Sequence, residues 1–304
     1  NHDGAFMWKI DMGPNMEIGN NSATTPILVF DLDGDGYAEV YAKTGEGTVF
    51  ADGTKIGDAN SDGVTDYRTF PPTTVGGYIL LKDNCPEYNS IIDGRTGKEL
   101  ARSNFLARGK KANWTSLWGD NYGHRMQFIF VGIAFLDGVH PSVVMSRGPG
   151  DKMDVAAISY ANGAITTNWT WTSRNKTFPN GNGWTDFHAI RILDVDNDGK
   201  DEISWGSSML NNDGTFLYTN ELVHGDRFQI GDFDPDRAGL EAFAIQQNNP
   251  SLLGAALFDA ATGVTYKKWY LTAVGDVGRG DVADVDPRYK AVSYTHLRAH
   301  ETHH

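Results

Sequence analysis

Two acidic loops have the residue types and the spacing that bind calcium. Each reads Asp-x-Asp-x-Asp-Gly with a further carboxylate at the ninth position. Calcium takes about six to eight oxygen ligands, and a glycine at the sixth position, here Gly36 or Gly199, lets the chain bend around the ion. The twelfth position holds Ala42 or Trp205 rather than the Glu of an EF-hand, which excludes that motif. The predicted ligands are Asp31, Asp33, Asp35, Glu39, Asp194, Asp196, Asp198 and Glu202.

Three further acidic segments fit the same template less completely. Residues 58–66 keep the nine-residue spacing, residues 232–241 place the last carboxylate one position late, and residues 284–286 keep two carboxylates only. Their candidate ligands are Asp58, Asn60, Asp62, Asp66, Asp232, Asp234, Asp236, Glu241, Asp284 and Asp286. The alternative for each loop is an acidic turn that binds only water. Several calcium ions are therefore the predicted cofactors.

The acidic loops belong to an internal repeat. Asp31 and Asp194 lie 163 residues apart, and similar strand and turn sequences follow both. A hairpin sequence, Ser90–Leu100, returns 166 residues later as Ala256–Tyr266. Short apolar runs between turn-forming residues, with no sustained helical periodicity, predict an all-β protein. Because the strand pattern repeats, a β-propeller is favoured over a sandwich.

The repeat also predicts the domain organisation. Residues 1–291 are expected to form a partial β-propeller domain of about five blades, with a sixth beginning at Gly275. Residues 292–304 lack the Asp-rich and Gly-rich style of the preceding chain and are predicted to be a non-native tail. The expected blade units are 20–70, 75–125, 128–171, 187–222 and 226–270.

The composition excludes several classes of partner. The 304 residues carry 26 Lys and Arg against 39 Asp and Glu, and the formal net charge of −13 disfavours binding to nucleic acid or to anionic membranes. The longest apolar run, Phe128–Leu136, is far shorter than the roughly 20 residues of a membrane-spanning helix. A single cysteine, Cys85, permits no internal disulfide. Packing and bound ions must therefore stabilise the fold.

Basic and imidazole residues recur among glycines near the starts of the predicted blades. In a propeller such loops gather at one end of the central channel, where separate groups converge on one ligand. The alternative for each residue is an ordinary turn or an ion pair. The candidates, with an aspartate from one of the same motifs, are Arg147, His188, His224, Asp226 and Arg279.

Long motifs resemble the rhamnogalacturonan lyases of polysaccharide lyase family 11. They occupy Ile10–Asn15, Val29–Gly36, Leu222–Asp236 and Gly275–Arg288. The resemblance implies an eight-bladed propeller in the complete protein, several calcium ions, and secretion or cell-surface display by a bacterium that degrades pectin. The implied activity is calcium-dependent β-elimination in rhamnogalacturonan I, an acidic plant cell-wall polysaccharide. We expect a monomer that neither binds nucleic acid nor spans a membrane.

The implied reaction sets three tasks for side chains. β-Elimination at a uronate needs a neutralised carboxylate, a base for the C5 proton and help for the leaving oxygen. Arg279, with calcium, is predicted for the first task, and His188 and His224 are the available catalytic imidazoles, but the sequence does not identify which group is the base. Asn15 and Arg279 fall on motif positions that line the cleft of the family. The predicted substrate-binding residues are Asn15, Asp226 and Arg147.

Two functions other than a lyase remain open from the residues. The first is a non-catalytic calcium propeller used for adhesion or as a scaffold, which would share the Asp loops but not the imidazole and arginine motifs. The second is a carbohydrate-binding propeller without catalysis.

Overall fold

Strands dominate the computed structural model of the chain, which describes residues 3–16, 25–75, 78–148, 152–178, 187–220, 222–275, 280, 282–283 and 293–294. The chain divides into two compact units. The first comprises residues 1–133, 139–148 and 152–174, and the second comprises residues 134–138, 149–151 and 175–304. Within the described residues, no helix has the length and apolar character needed to cross a membrane.

The first unit begins with an antiparallel sheet whose strands come from two separate stretches of chain. Residues 27–104 contain the strands β1 (Ile27–Phe30), β2 (Glu39–Gly45), β3 (Arg68–Val75), β4 (Tyr78–Leu81), β5 (Glu87–Asp93) and β6 (Glu99–Asn104). The four-stranded sheet has the order β1-β2-β5-β6, and β3 and β4 form a separate hairpin in the connection from β2 to β5. Central β2 is buried almost throughout, whereas edge strand β1 alternates, with Ile27 and Val29 exposed. This contrast is typical of central and edge strands.

A short helical segment leads to the second sheet. It contains a 3₁₀ turn (Lys111–Asn113), α1 (Trp114–Trp118) and α2 (His124–Gln127). The sheet itself is β7 (Ile129–Ala134), β8 (Ser142–Arg147), β9 (Asp154–Ala161) and β10 (Ala164–Thr172), with consecutive strands paired. Tyr41 and Ile91 from the first sheet pack with Ile129, Val143 and Ile158 from the second in one buried cluster. The two sheets of this unit therefore bury their apolar faces against each other.

The second unit repeats the arrangement. Its strands are β11 (Arg191–Leu193), β12 (Glu202–Ser204), β13 (Ser208–Leu210), β14 (Phe216–Thr219), β15 (Phe228–Gly231), β16 (Glu241–Ile245), β17 (Leu253–Asp259), β18 (Thr265–Tyr270), β19 (Val282–Ala283) and β20 (Ser293–Tyr294). The strands β11–β14 and β15–β18 form two four-stranded sheets, and β19 pairs with β20. Phe187, Met209 and Leu222 share a core with Phe228 and Phe258.

The all-β prediction is confirmed, and every strand pairing with a recorded register is antiparallel. The described residues form four four-stranded sheets where about five blades were expected. The difference arises because β2 pairs with β5, so the expected units 20–70 and 75–125 share one sheet. The eight-bladed propeller, and the assignment of residues 292–304 to a non-native tail, stay predictions.

Candidate functional site

The Asp31 loop joins β1 to β2, and its backbone N–H groups wrap around the carboxylates of Asp31 and Glu39 by donating hydrogen bonds to them. Asp31 accepts hydrogen bonds from the backbone N–H groups of Gly34 (2.8 Å), Asp35 (3.1 Å) and Gly36 (2.9 Å). Glu39, which begins β2, closes the loop by accepting a bond of 2.8 Å from Leu32 N–H. Each of Asp31, Asp33 and Glu39 offers an oxygen within 4.8 Å of the others. The structure thus brings together three of the four predicted ligands of this loop at one point.

The Asp194 loop, between β11 and β12, has the same register. Asp194 accepts from Gly199 N–H at 2.9 Å, and Glu202 Oε2 accepts from Val195 N–H at 3.0 Å. Glu202 is fully buried, and among the described residues its Oε1 has no hydrogen-bond partner. Burial, reinforced by the charges of Asp196, Asp198 and Asp194, raises the pKa of Glu202 to about 7. A buried, unpartnered oxygen beside other carboxylates fits a cation, which would supply both the missing partner and the opposite charge.

The Asp58 loop repeats the wrap but closes differently. Asp58 accepts from Asp62 N–H (3.0 Å) and Gly63 N–H (2.8 Å), as its counterparts do. The ninth-position carboxylate of Asp66 turns outward to Arg68, with its side chain 42% exposed.

The carboxylate that enters this loop instead comes from Glu46, in the turn after β2. Its Oε1 accepts from Ala59 N–H (2.8 Å) and Asn60 N–H (3.2 Å). Its Oε2 is buried and has no hydrogen-bond partner in the part of the chain that the structure describes. The nine-residue template missed Glu46 because this residue lies twelve positions before Asp58. The one available signal was an acidic residue between Gly45 and Gly47.

The Asp232 loop, between β15 and β16, is also closed by a buried glutamate. Glu241 Oε2 accepts from Phe233 N–H (2.9 Å) and Asp234 N–H (3.1 Å). Its Oε1 is buried and unpartnered within the described residues. Because Glu241 begins β16, the strand fixes its position even though it comes one place late in the template. Asp284 and Asp286 lie outside the described residues.

A different kind of cluster forms where residues 187–188 run beside residues 224–226. Phe187 and Gly225 form an isolated parallel bridge, and His188 N–H donates to Gly225 O at 3.0 Å. A side chain at position 225 would collide with Ile245 O and with the Phe187 ring, so the close approach requires glycine. His188 Nδ1 then lies 3.0 Å from Asp226 Oδ1, and the rings of His188 and His224 are 4.4 Å apart.

Three predicted site residues therefore meet in this cluster. His188, His224 and Asp226 each offer one ligand atom within 4.8 Å of the others, and all three are partly exposed. Such a set can act as a base with its orienting carboxylate, or it can hold a divalent cation. Unlike the acidic loops, it offers two nitrogens.

Two other predicted substrate-binding residues are buried and engaged elsewhere. Arg147 is fully buried, pairs with Glu87 and donates to Met126 O at 2.7 Å. Asn15 is 3% exposed and holds the flanks of the Asp58 loop by bonds to Thr65 O and Tyr67 N–H. Both side chains are therefore engaged within the fold, and their role in substrate binding stays a prediction. Arg279 lies outside the described residues.

The fold and these loops define a class of repeat protein, built from four-stranded antiparallel sheets, three of which carry a carboxylate-rich loop in their first connection. Within that class the chain belongs to rhamnogalacturonan lyase family 11, because the family model of its C-terminal domain matches residues 1–302. The predicted family is confirmed.

Relatives of known name support the same assignment. The chain is 41% identical over 292 residues to the rhamnogalacturonan endolyase YesW of Bacillus subtilis, and 38% identical over 289 residues to the exolyase YesX of the same species. These matches cover 94% and 95% of this chain and 43% and 44% of the relatives. The chain therefore spans less than half the length of these relatives.

Solved structures are also similar. The crystal structure of YesX matches 96% of this chain and 45% of its own, with a TM-score of 0.82. A rhamnogalacturonan lyase from Bacillus licheniformis matches with 39% identity and a TM-score of 0.82, covering 96% of this chain and 47% of its own.

Proposed function

We propose that the protein to which this chain belongs is a rhamnogalacturonan lyase, and that His188, His224 and Asp226 form part of its active site. The observation that carries the proposal is the convergence of these three partly exposed side chains in a member of this family. The non-catalytic alternatives are less favoured because the named relatives are lyases.

His188 is the proposed base of the elimination. Its Nδ1 donates to Asp226 Oδ1, so the imidazole is held as the tautomer whose Nε2 accepts a proton. When Nε2 takes the C5 proton of a galacturonate residue, the C5–H electrons form the C4–C5 double bond. The bond from C4 to the glycosidic oxygen breaks, its electron pair leaves with that oxygen, and the oxygen takes up a proton from water. Asp226 stabilises the imidazolium that forms.

A second candidate role is favoured by the ligand geometry. The two imidazoles and the carboxylate suit a divalent cation of the zinc type better than calcium, which prefers oxygen. A cation bound there would neutralise the uronate carboxylate and make the C5 hydrogen more acidic. His188, His224 and Asp226 would then be its ligands rather than the base and its partner.

The acidic loops are proposed calcium sites that stabilise the fold. In the Asp31, Asp58 and Asp194 loops the support is an aspartate that accepts from backbone N–H groups together with a buried closing glutamate, whereas the Asp232 loop shares only the closing glutamate, Glu241. Calcium there would also offset part of the −13 charge that opposes an acidic polysaccharide. Secretion or cell-surface display stays part of the proposal, because a plant cell-wall polymer lies outside the bacterial cell that degrades it.

The test is an assay of the complete gene product on rhamnogalacturonan I and on plain polygalacturonan. A lyase forms unsaturated uronate, which absorbs in the ultraviolet, whereas a binding protein pulls down polysaccharide without forming it. We expect product from rhamnogalacturonan I only. Binding without product would favour the carbohydrate-binding alternative.

Variants of the cluster separate its two candidate roles. His188→Gln should lower kcat by about 10²-fold or more, typical for loss of a general base. The matched control is His140→Gln, at an exposed position in the loop between β7 and β8. If His188 is the base, His188→Gln leaves the metal content unchanged; if it is a ligand, the metal is lost with the activity. Full turnover in both His188→Gln and His224→Gln would reject this active site.

A further inference from the structure

His224 sits in a stretch of chain that has no strand of its own to hold it. Residues 222–224 lie between β14 and β15 outside any regular element, yet the imidazole must face His188 and Asp226. The proposed chemistry requires a fixed ring. The groups that hold the backbone at this point therefore decide whether the cluster forms.

The carboxamide of Gln246, the residue after β16, holds that backbone at two points. Oε1 accepts a bond of 2.7 Å from Val223 N–H, and Nε2 donates to Val223 O at 3.4 Å. A carboxamide offers one acceptor and one donor, so it pairs with both polar groups of one residue as a neighbouring strand would. Gln246 is itself fully buried, and Asn249 Nδ2 fixes its Oε1 from the other side at 3.2 Å.

The next residues of the same turn continue the contact. Gln247 N–H donates to His224 O at 2.9 Å, so the backbone of the imidazole residue is tied directly. Asn248 N–H donates to Gly275 O at 3.0 Å, and Gly275 opens the sequence motif that contains Arg279. The turn Gln246–Asn249 thus contacts the backbone of His224 and of Gly275.

We propose that Gln246 is a positioning residue, which holds Val223 and thereby sets the imidazole of His224 against His188 and Asp226. The role of Gln246 in catalysis rests on the proposed function, whereas its effect on the cluster does not. Gln246 does not touch the substrate. It acts through the backbone of the residue before His224, in the way that outer-shell groups orient the side chains that do the chemistry.

The test compares Gln246→Met with Gln229→Met in the 304-residue chain. Methionine keeps the length of glutamine but removes both hydrogen-bonding groups. Gln229 lies on β15, is partly buried, and accepts a hydrogen bond from Arg191 rather than from the backbone of residues 222–224. The readouts are the melting temperature, the imidazole resonances in ¹⁵N-histidine spectra of the metal-free protein, and the affinity for Co²⁺ alone. His188→Gln and His224→Gln assign the resonances and locate the Co²⁺ site.

We expect Gln246→Met to shift or split the His224 resonance and leave that of His140 in place. Affinity for Co²⁺ should fall about 10- to 100-fold, the usual effect of losing an outer-shell partner. Gln229→Met should change neither readout. If Gln246→Met does not fold, Gln246→Asn takes its place, because it keeps the carboxamide but shortens its reach to Val223, with a smaller expected shift.

Failure of the positioning role is distinguishable from failure of the lyase proposal. A His224 resonance unchanged in a folded Gln246 variant would overturn the positioning role, whatever the enzyme does. If the parent binds no Co²⁺, the metal candidate is wrong and the spectra alone decide on Gln246. A shifted His224 in a protein that forms no unsaturated uronate would support the positioning role and reject the lyase.

Discussion

Glu87, whose side chain is 7% exposed, and the fully buried Glu202 each begin a strand, but their charges are balanced in opposite ways. Burial of Glu87 opposes its ionisation, but Arg147 and Lys43 outweigh the burial and lower its pKa to about 2. Burial of Glu202 is reinforced by three neighbouring aspartates, and its pKa rises to about 7. The chain thus supplies the cations for one buried acid and leaves the other beside more negative charge. Glu87 belongs to a finished ion pair, whereas the Asp194 loop has the electrostatics of a site for an added cation.

Removal of calcium should cause the largest loss of stability, because it affects the acidic loops and not the ion pair of Glu87. An ion that binds only the folded state stabilises it by about 2.7 kcal/mol when its concentration is 100 times the Kd. Loops at Asp31, Asp58 and Asp194 share one wrap, so a chelator should lower the free energy of unfolding by several times that amount. Urea unfolding with and without chelator measures it. A transition unmoved by chelator would show that the loops are acidic turns.

Arg147→Met should be the most damaging single substitution, with or without calcium. The substitution removes one of the two main cations beside Glu87 and leaves Lys43 to balance its charge. Breaking a buried ion pair costs about 3 to 5 kcal/mol. The expected result is a lower midpoint by the same amount in calcium and in chelator. Arg95→Met, at an exposed pair with Asp93, is the matched control and should cost little. A small loss of stability with reduced binding of substrate would instead support the predicted substrate-binding role of Arg147.

The two acids also predict opposite responses to pH in the calcium-free protein. The pKa of Glu87 is lowered in the folded state, so its contribution is complete above pH 4.5 and is lost as the pH falls toward about 2. The pKa of Glu202 is raised, so stability falls as the pH rises from 4.5 through about 7. Glu202→Gln should flatten the second slope alone, and calcium should reverse it, because protons and calcium compete for the same oxygens. An unchanged slope in Glu202→Gln would contradict this assignment.

How far the sequence predicts these sites depends on how far apart along the chain the interacting residues of each site lie. The wrap of Asp31 or Asp194 is local, since the backbone N–H groups lie within five residues, and spacing predicts it. The role of Arg147 could not be predicted, because its partner Glu87 lies 60 residues away on another strand. The sequence around Arg147 shows only that a glycine follows it, and such a glycine is found both in substrate-binding loops and beside buried ion pairs.

The fold shows the same limit. The all-β pattern and the repeat follow from short strands and Asp-Gly turns along the chain. The number of sheets was misjudged because the segment between β2 and β5 carries its own acidic loop and hairpin, and so looks like another repeat unit. Pairing of β2 with β5 across about 40 residues is a long-range fact that no local turn signal records.

The smallest predicted effect tests whether Asp66, predicted by spacing, or Glu46, indicated by the structure, is the closing ligand of the Asp58 loop. By spacing, Asp66 is the ninth-position ligand; by structure, Glu46 closes the loop and Asp66 pairs with Arg68 at the surface. Asp66→Asn should therefore cost under about 1 kcal/mol, as for other exposed ion pairs, and leave calcium binding intact. Glu46→Gln should instead remove most of the calcium-dependent stability of this loop, up to about 2.7 kcal/mol, while changing the calcium-free protein little. Calcium titration of each variant by calorimetry counts the ions that remain, and loss of one ion in Asp66→Asn but not in Glu46→Gln would reverse the assignment in favour of the sequence template.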